Sequence, residues 1–269
     1  MSVADVNVLP DASALADAAA ERFIRIAADA IRSRGRFVVA LSGGSTPRAM
    51  YQRLGSAPMA ARVDWSRVQV LWGDERCVPP DDAASNYRAA RETMLDRVPI
   101  PAPNVHRILG EAVPDVAAVQ YEATLRALLE TPSGPPSAVP GARIDLVLLG
   151  VGADGHTASL FPGSAAVLEQ VRWAMAERAP APSTWRVTLT PATINAAAEV
   201  LFVVSGEGKA GMLRRVLEGP NEPWNLPVQV IAPTDGQARW YVDASAAAQL
   251  GSGSGKEYRQ AKHSTTRRP

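Results

Sequence analysis

Three glycines, an aspartate and a histidine fall within seven residues at Gly150-Val151-Gly152-Ala153-Asp154-Gly155-His156. Glycines let the backbone take positive φ and approach a ligand closely. An imidazole can accept and return a proton near neutral pH. Together they suggest proton transfer on a bound small molecule. The other two histidines sit in less informative places, His106 after a proline-rich turn and His263 near the C-terminus.

Three more clusters put polar or charged residues beside glycine: Ser42-Gly43-Gly44-Ser45-Thr46-Pro47, Gly73-Asp74-Glu75-Arg76 and Ser205-Gly206-Glu207-Gly208-Lys209. Thr46 before Pro47 reads as an N-cap and a first-turn proline. The free N–H groups and the dipole of such a helix start favour an anion; a tight turn with no ligand fits that piece equally. The fork of Arg76 matches phosphate oxygens, and the bland reading of 73–76 is a solvated loop. Lys209 opens a helix, where a cation is disfavoured unless an anion compensates.

The segment 150–155 also matches the dinucleotide pattern G-x-G-x-x-G. Asp154 would repel a pyrophosphate there, Pro162-Gly163 cuts off the long helix that pattern needs, and of the acids about 20 residues on, Glu177 comes too late although Glu169 is nearly in range. No metal-ligand spacing is present. Cys77 reads as a plain thiol.

Each cluster follows an apolar run: Phe37 to Leu41, Val68 to Trp72, Ile144 to Leu149 and Glu199 to Val204. Runs of that kind are strands covered on both faces, as in a parallel sheet. The carboxyl ends of parallel strands share one rim, where open α/β sheets bind ligands. Helices are expected at Ala12 to Arg34, after Thr46, after Ser85 and from Pro114 to Glu130, each with apolar residues three and four apart. Further strands are expected at Val171 to Ala176, Arg186 to Leu189 and Pro227 to Ile231. Arg239 to Val242 reads as an edge strand and Ala244 to Leu250 as a closing helix. The fold class is α/β: a single domain over 1–250, with a mostly parallel, Rossmann-like sheet, helices on both faces and the active site at the carboxyl ends of the strands. Thr131 to Gly141 reads as a mobile loop and 251–269 as a disordered, basic, Gly/Ser-rich tail.

Composition narrows the class. The chain has 269 residues, 46% of them hydrophobic, with a net charge of +1 and one cysteine. That is a globular composition with no electrostatic reason to bind nucleic acid or an anionic membrane. A single thiol fits a reducing compartment, and neither a signal peptide nor a membrane-length apolar run is visible. The cytoplasm is the expected location.

The motifs Leu41-Ser42-Gly43-Gly44-Ser45-Thr46-Pro47, Trp72-Gly73-Asp74-Glu75-Arg76, the whole run from Gly150 to Gly163 and Gly208-Lys209 resemble the 6-phosphogluconolactonases, in order and spacing up to about Leu250. The related glucosamine-6-phosphate deaminases and isomerases share the Gly-Ser-Thr-Pro turn and an Asp-Gly-His, but continue with an Ala-Phe-Asn-Glu-Pro type segment. Here Ser159-Leu160-Phe161 stands in that place. The resemblance implies hydrolysis of 6-phospho-D-glucono-1,5-lactone to 6-phospho-D-gluconate, the second step of the oxidative pentose phosphate pathway, with no metal and no cofactor. It implies that His156 is the general base, that Asp154 sets the loop and the imidazole, and that Arg76 and Lys209 hold the phosphate. Ser42, Gly43, Gly44, Ser45, Thr46, Asp74 and Gly152 would complete the substrate site. The implied partner is the sugar phosphate alone, with no nucleic acid and no membrane, bound by a monomer or weak homodimer. Two alternatives remain at this stage: a glucosamine-6-phosphate deaminase or isomerase, which would release ammonia, and a non-catalytic sugar-phosphate sensor, which would bind without turnover.

Overall fold

Phe37–Leu41 is buried at all five positions, and Leu146–Leu149 at all four. Neither run has a face to turn to water, so each needs cover on both sides. In the computed structural model, which describes residues 5–130, 143–180, 184–251 and 259–260, both lie in a wholly parallel sheet. In chain order the elements are β1 (Asp5–Leu9), α1 (Ala12–Arg34), β2 (Phe37–Leu41), α2 (Ser45–Leu54), α3 (Ala57–Ala60), β3 (Val68–Trp72), β4 (Asp74–Arg76), α4 (Asn86–Thr93), α5 (Pro114–Leu129), β5 (Leu146–Leu149), β6 (Ala174–Arg178), β7 (Trp185–Leu189), α6 (Pro191–Asn195), β8 (Glu199–Val204), α7 (Ala210–Glu218), β9 (Gln237–Asp243) and β10 (Arg259–Gln260). The main sheet runs β10-β1-β9-β8-β5-β2-β3, and β4-β7-β6 form a small antiparallel sheet.

The strand order contains a switch. The chain leaves β2 for β3 on one side, but leaves β5 for β8 and β9 on the other. Right-handed crossovers running in opposite directions put their helices on opposite faces, and a crevice opens outside the carboxyl ends where the directions part. That point lies between β2 and β5, so the Gly43 turn and the His156 loop face each other. Leu41 pairs with Trp72 and Leu149 with Phe202, which aligns the strand ends along the rim. Two buried phenols brace those ends. The Tyr51 hydroxyl accepts from the Ser42 N–H (2.9 Å) and donates to the Ser42 carbonyl (2.8 Å). Tyr121 holds the Trp72 N–H and carbonyl in the same way, at 2.7 and 2.8 Å.

The long helix α1 matches its expected bounds. Asp11 caps it through the Ala14 N–H (2.8 Å), and Gly35 ends it in the left-handed region. Its polar side finds partners on other elements, Asp17 with Arg53 and Glu21 with Arg62.

Several local expectations are corrected. The N-cap of α2 is Gly44, at φ 108°, rather than Thr46, because the helix begins two residues earlier than expected, at Ser45. Gly73 to Arg76 is not a solvated loop: Asp74–Arg76 pair with β7. The strand expected from Val171 lies at Ala174–Arg178. Pro227–Val230 is a 3-10 turn, in keeping with a proline that has no N–H for a ladder. Strand β9 lies between β1 and β8 rather than at an edge. Its Arg239 tolerates that position by pairing with Asp5 and Glu199. Ala244 to Gln249 forms turns rather than a helix. Strand β1 carries no strong apolar signal and was not expected. The loop at 131–141 lies outside the described residues. So does the tail, apart from Gly251 and Arg259–Gln260; the latter pair with Asn7 and Val8 of β1. No helix among the described residues is long and apolar enough to cross a membrane.

Candidate active site

At the switch point the rim encloses a cleft of about 360 Å³, within the usual range for small-molecule sites. Of the expected site residues, Ser42, Gly43, Gly44, Ser45, Thr46, Asp74, Arg76, Gly152, His156 and Lys209 line it. Asp154 stands behind, on the histidine.

The loop after β5 builds the histidine's position. The Gly152 N–H donates to the His156 carbonyl (2.8 Å) and the Gly155 N–H to the Gly152 carbonyl (3.1 Å). This curl needs Gly155 at φ 86°. The turn at Pro227–Val230 braces it, with Val228 N–H on the Gly155 carbonyl (3.0 Å). Asp154 Oδ1 lies 2.6 Å from His156 Nδ1 and accepts the His156 backbone N–H at 3.2 Å. Burial pushes the Asp154 carboxyl up, but the His156 charge and hydrogen bonds outweigh it and hold the group below the usual carboxylate range. A carboxylate on Nδ1 favours the tautomer with its proton there, leaving Nε2 as an acceptor; no described residue bonds Nε2. The Phe161 ring packs 5.1 Å from the imidazole, centroid to centroid. The ring occupies the space a side chain at Gly152 would need: a Cβ there would lie 2.1 Å from Nδ1.

The turn after β2 is shaped by close approach as well. A Cβ on Gly43 would lie 1.9 Å from Asn86 Oδ1. Asn86, which begins α4, donates to the Asp74 carbonyl (2.9 Å) and Oδ1 (3.3 Å), and the Ser159 hydroxyl donates to Asp74 Oδ2 (2.7 Å). Asp74 is therefore a buried, hydrogen-bonded carboxylate in the cleft wall. Glu75 serves the scaffold instead. It accepts the N–H groups of Arg76, Asn86 and Tyr87 at 2.7, 2.8 and 2.7 Å, capping α4; burial nevertheless pushes its carboxyl up. The Ser42 hydroxyl is buried with no partner among the described residues.

The β4–β7 register places Arg76 opposite Arg186, and both line the cleft. Cross-strand neighbours of like charge repel. Burial pushes the Arg186 guanidinium down, and the Arg76 charge pushes it further. Its Nε is buried without a partner, and no described carboxylate forms an ion pair with either arginine. Such a pair is relieved by an anion. Lys209 lines another part of the cleft and is the residue before α7 rather than part of its first turn. Sequence reasoning missed Asn86, Ser159, Phe161 and Arg186. Among the described residues no cluster of His, Cys, Asp and Glu is arranged to hold a metal.

Cys77 follows Arg76 and gives its N–H to the Trp185 carbonyl (2.9 Å). Burial pushes its thiol up to about 11, so only about one part in 10⁴ is thiolate at neutral pH. Iodoacetamide is expected to label it far more slowly than a free thiol at neutral pH, with the rate climbing as pH approaches the thiol's own value. Stoichiometric labelling within minutes at neutral pH would show an activated cysteine instead.

The family model that matches residues 10–240 is that of glucosamine-6-phosphate isomerases and 6-phosphogluconolactonase. The chain is 39% identical over 246 residues to a 6-phosphogluconolactonase of Nostoc sp., covering 91% of this chain and 98% of the relative. It is 38% identical over 241 residues to a probable chloroplastic 6-phosphogluconolactonase of Oryza sativa, covering 88% and 73%. The solved 6-phosphogluconolactonase of Trypanosoma cruzi superposes with a TM-score of 0.80 at 30% identity, over 93% of this chain and 98% of that one.

Proposed function

The chain belongs to the family of glucosamine-6-phosphate isomerases and 6-phosphogluconolactonases, and we propose that it hydrolyses 6-phospho-D-glucono-1,5-lactone to 6-phospho-D-gluconate. The observation that carries this reading is an imidazole with Nδ1 held by Asp154 and Nε2 unpartnered, in a cleft whose walls also carry Arg76, Arg186 and Lys209. Water attacks the lactone carbonyl carbon while His156 Nε2 takes its proton. The carbonyl π bond becomes an oxyanion, to which the Ser42 hydroxyl and the free N–H groups at the start of α2 are available donors. Collapse of the tetrahedral intermediate breaks the bond to the ring oxygen, which leaves with the proton returned from Nε2. The products are a free hydroxyl and a carboxylic acid, which ionises. No covalent enzyme intermediate is needed.

The reading is tested with freshly generated lactone, following 6-phosphogluconate with a coupled dehydrogenase and subtracting spontaneous hydrolysis at each point. Catalysed production above background is expected. Ammonia release from glucosamine 6-phosphate, or tight binding without turnover, would overturn it.

Arg76→Ala, Arg186→Ala and Lys209→Ala are each expected to cost about 1.5–2 kcal/mol of substrate binding, as for a lost charge-assisted hydrogen bond. This should appear as a roughly 10–30-fold rise in KM at similar kcat. Unphosphorylated gluconolactone should be far less affected. Equal losses on both lactones would show that these cations do not hold the phosphate.

A further inference from the structure

Asp243 ends β9 and does not line the cleft, yet it holds the turn that delivers Lys209. Val204 pairs with Val242, so Asp243 sits beside Ser205, the first residue after β8. It is buried, 3% exposed. Its carboxylate accepts the Ser205 hydroxyl and the Gly206 N–H (3.1 Å) on one side. On the other it accepts the Ser245 hydroxyl and the Ala246 N–H, both at 2.8 Å. Burial pushes the Asp243 carboxyl up, but these bonds together hold it below the usual range, so it is ionised at neutral pH.

The turn has little else to fix it. Its sequence is Ser205-Gly206-Glu207-Gly208-Lys209, and a Cβ on Gly206 or Gly208 would meet nothing within 4 Å. Gly206 stands at φ 100°, a region where no intrinsic preference selects one conformer for glycine. Its carbonyl then receives the Lys209 N–H at 3.0 Å. The path from carboxylate to ammonium is therefore short: Asp243 fixes the Ser205–Gly206 peptide, and the carbonyl of the next peptide, on the other side of the Gly206 Cα, holds the Lys209 N–H.

We propose that Asp243 is a positioning residue for substrate affinity, acting through the Ser205–Gly206 turn to aim Lys209 at the phosphate. This rests on the reading of Lys209 as a phosphate contact. A carboxamide at 243 keeps the size but replaces one acceptor oxygen with a donor, which faces donors in the turn.

The test is a set of variants measured on the phosphorylated and unphosphorylated lactones: Asp243→Asn, Lys209→Ala and the double variant. Asp243→Asn is expected to raise KM for the phosphorylated lactone about tenfold, with kcat and the unphosphorylated lactone changed by less than about twofold. In the Lys209→Ala background the same substitution should add nothing further, since both act on one contact. Equal losses on both lactones, or full additivity with Lys209→Ala, would mean that Asp243 only stabilises the fold, and the proposal falls. If Lys209→Ala raises KM and Asp243→Asn does not, the positioning role fails alone. If Lys209→Ala leaves KM unchanged, the phosphate reading fails and takes this inference with it. Should Asp243→Asn not fold, Ser205→Ala removes a donor to the same carboxylate and is read on the same two substrates. A KM rise confined to the phosphorylated lactone supports the role, and its absence overturns it.

Discussion

His156→Asn is expected to lower kcat by about 10²–10⁴-fold, the usual worth of a positioned general base, with KM changed only a few-fold. Asparagine retains a polar tip that can still contact Asp154, but it offers no basic nitrogen at the Nε2 position. The lactone carbonyl is already electrophilic, so the residual rate should approach that of a water held in place without a base. The pH dependence separates this role from a structural one. A general base works only when unprotonated, so the wild-type rate should fall on acidification. Asp154 is held below the ordinary carboxylate range; it stays ionised as the pH falls until well into the acid range. A loss of activity on mild acidification would therefore not come from the carboxylate partner. The variant should lack that limb once background hydrolysis is subtracted. A variant that keeps most of its corrected activity would make His156 structural and leave Asp74 as the carboxylate in the cleft wall.

The parts of this site that were legible in the sequence are those where composition changes abruptly. Strands β2, β3, β5 and β8 are apolar enough to need cover on both faces, and each gives way to glycine and polar or charged residues at its carboxyl end. That contrast puts Ser42, Asp74, His156 and Lys209 on one rim. What was hidden depends on pairing. Arg186 lies in Trp185-Arg186-Val187-Thr188-Leu189, an alternating strand in which an arginine reads as a solvent-facing residue. Only the antiparallel register with Asp74–Arg76 sets it against a second guanidinium at the cleft. Strand β9 carries Arg239 inside the sheet, and the carboxylates that neutralise it are distant in sequence, on β1 and at the start of β8. Asn86 was visible as a helix start but not as the side chain that excludes a Cβ at Gly43. Gly152 was expected to face the substrate. It lines the cleft, but the close contact that requires glycine there is with the histidine ring.

That contact makes Gly152→Ala the second large expected effect, a fall in kcat of about 10²-fold from a substitution that removes no functional group. The added Cβ would lie 2.1 Å from His156 Nδ1, 2.3 Å from Cε1 and 2.5 Å from Asp154 Oδ1. All three are far inside van der Waals contact. The backbone has little freedom to yield, since the Gly152 N–H bonds the His156 carbonyl and the Gly152 carbonyl receives the Gly155 N–H. The side chains must move instead. Rotating the imidazole breaks the Nδ1–Asp154 hydrogen bond and takes Nε2 away from the place proposed for water activation; a displacement of about 1 Å is enough for a loss of this size. The proposed phosphate contacts lie on other elements, so KM should change little. The strain is confined to a rim loop, so thermal unfolding should shift by only a few degrees. Gly211→Ala in α7 is the matched control, because its Cβ would meet only Gln249 Oε1 at 3.6 Å; it should leave kcat within about twofold. Comparable activity in Gly152→Ala and Gly211→Ala would mean that the imidazole can act from more than one position. A KM effect without a kcat effect would mean that Gly152 matters through substrate contact instead. A kcat effect alone, with His156→Asn adding little in the Gly152→Ala background, would tie the glycine's role to the ring it makes room for.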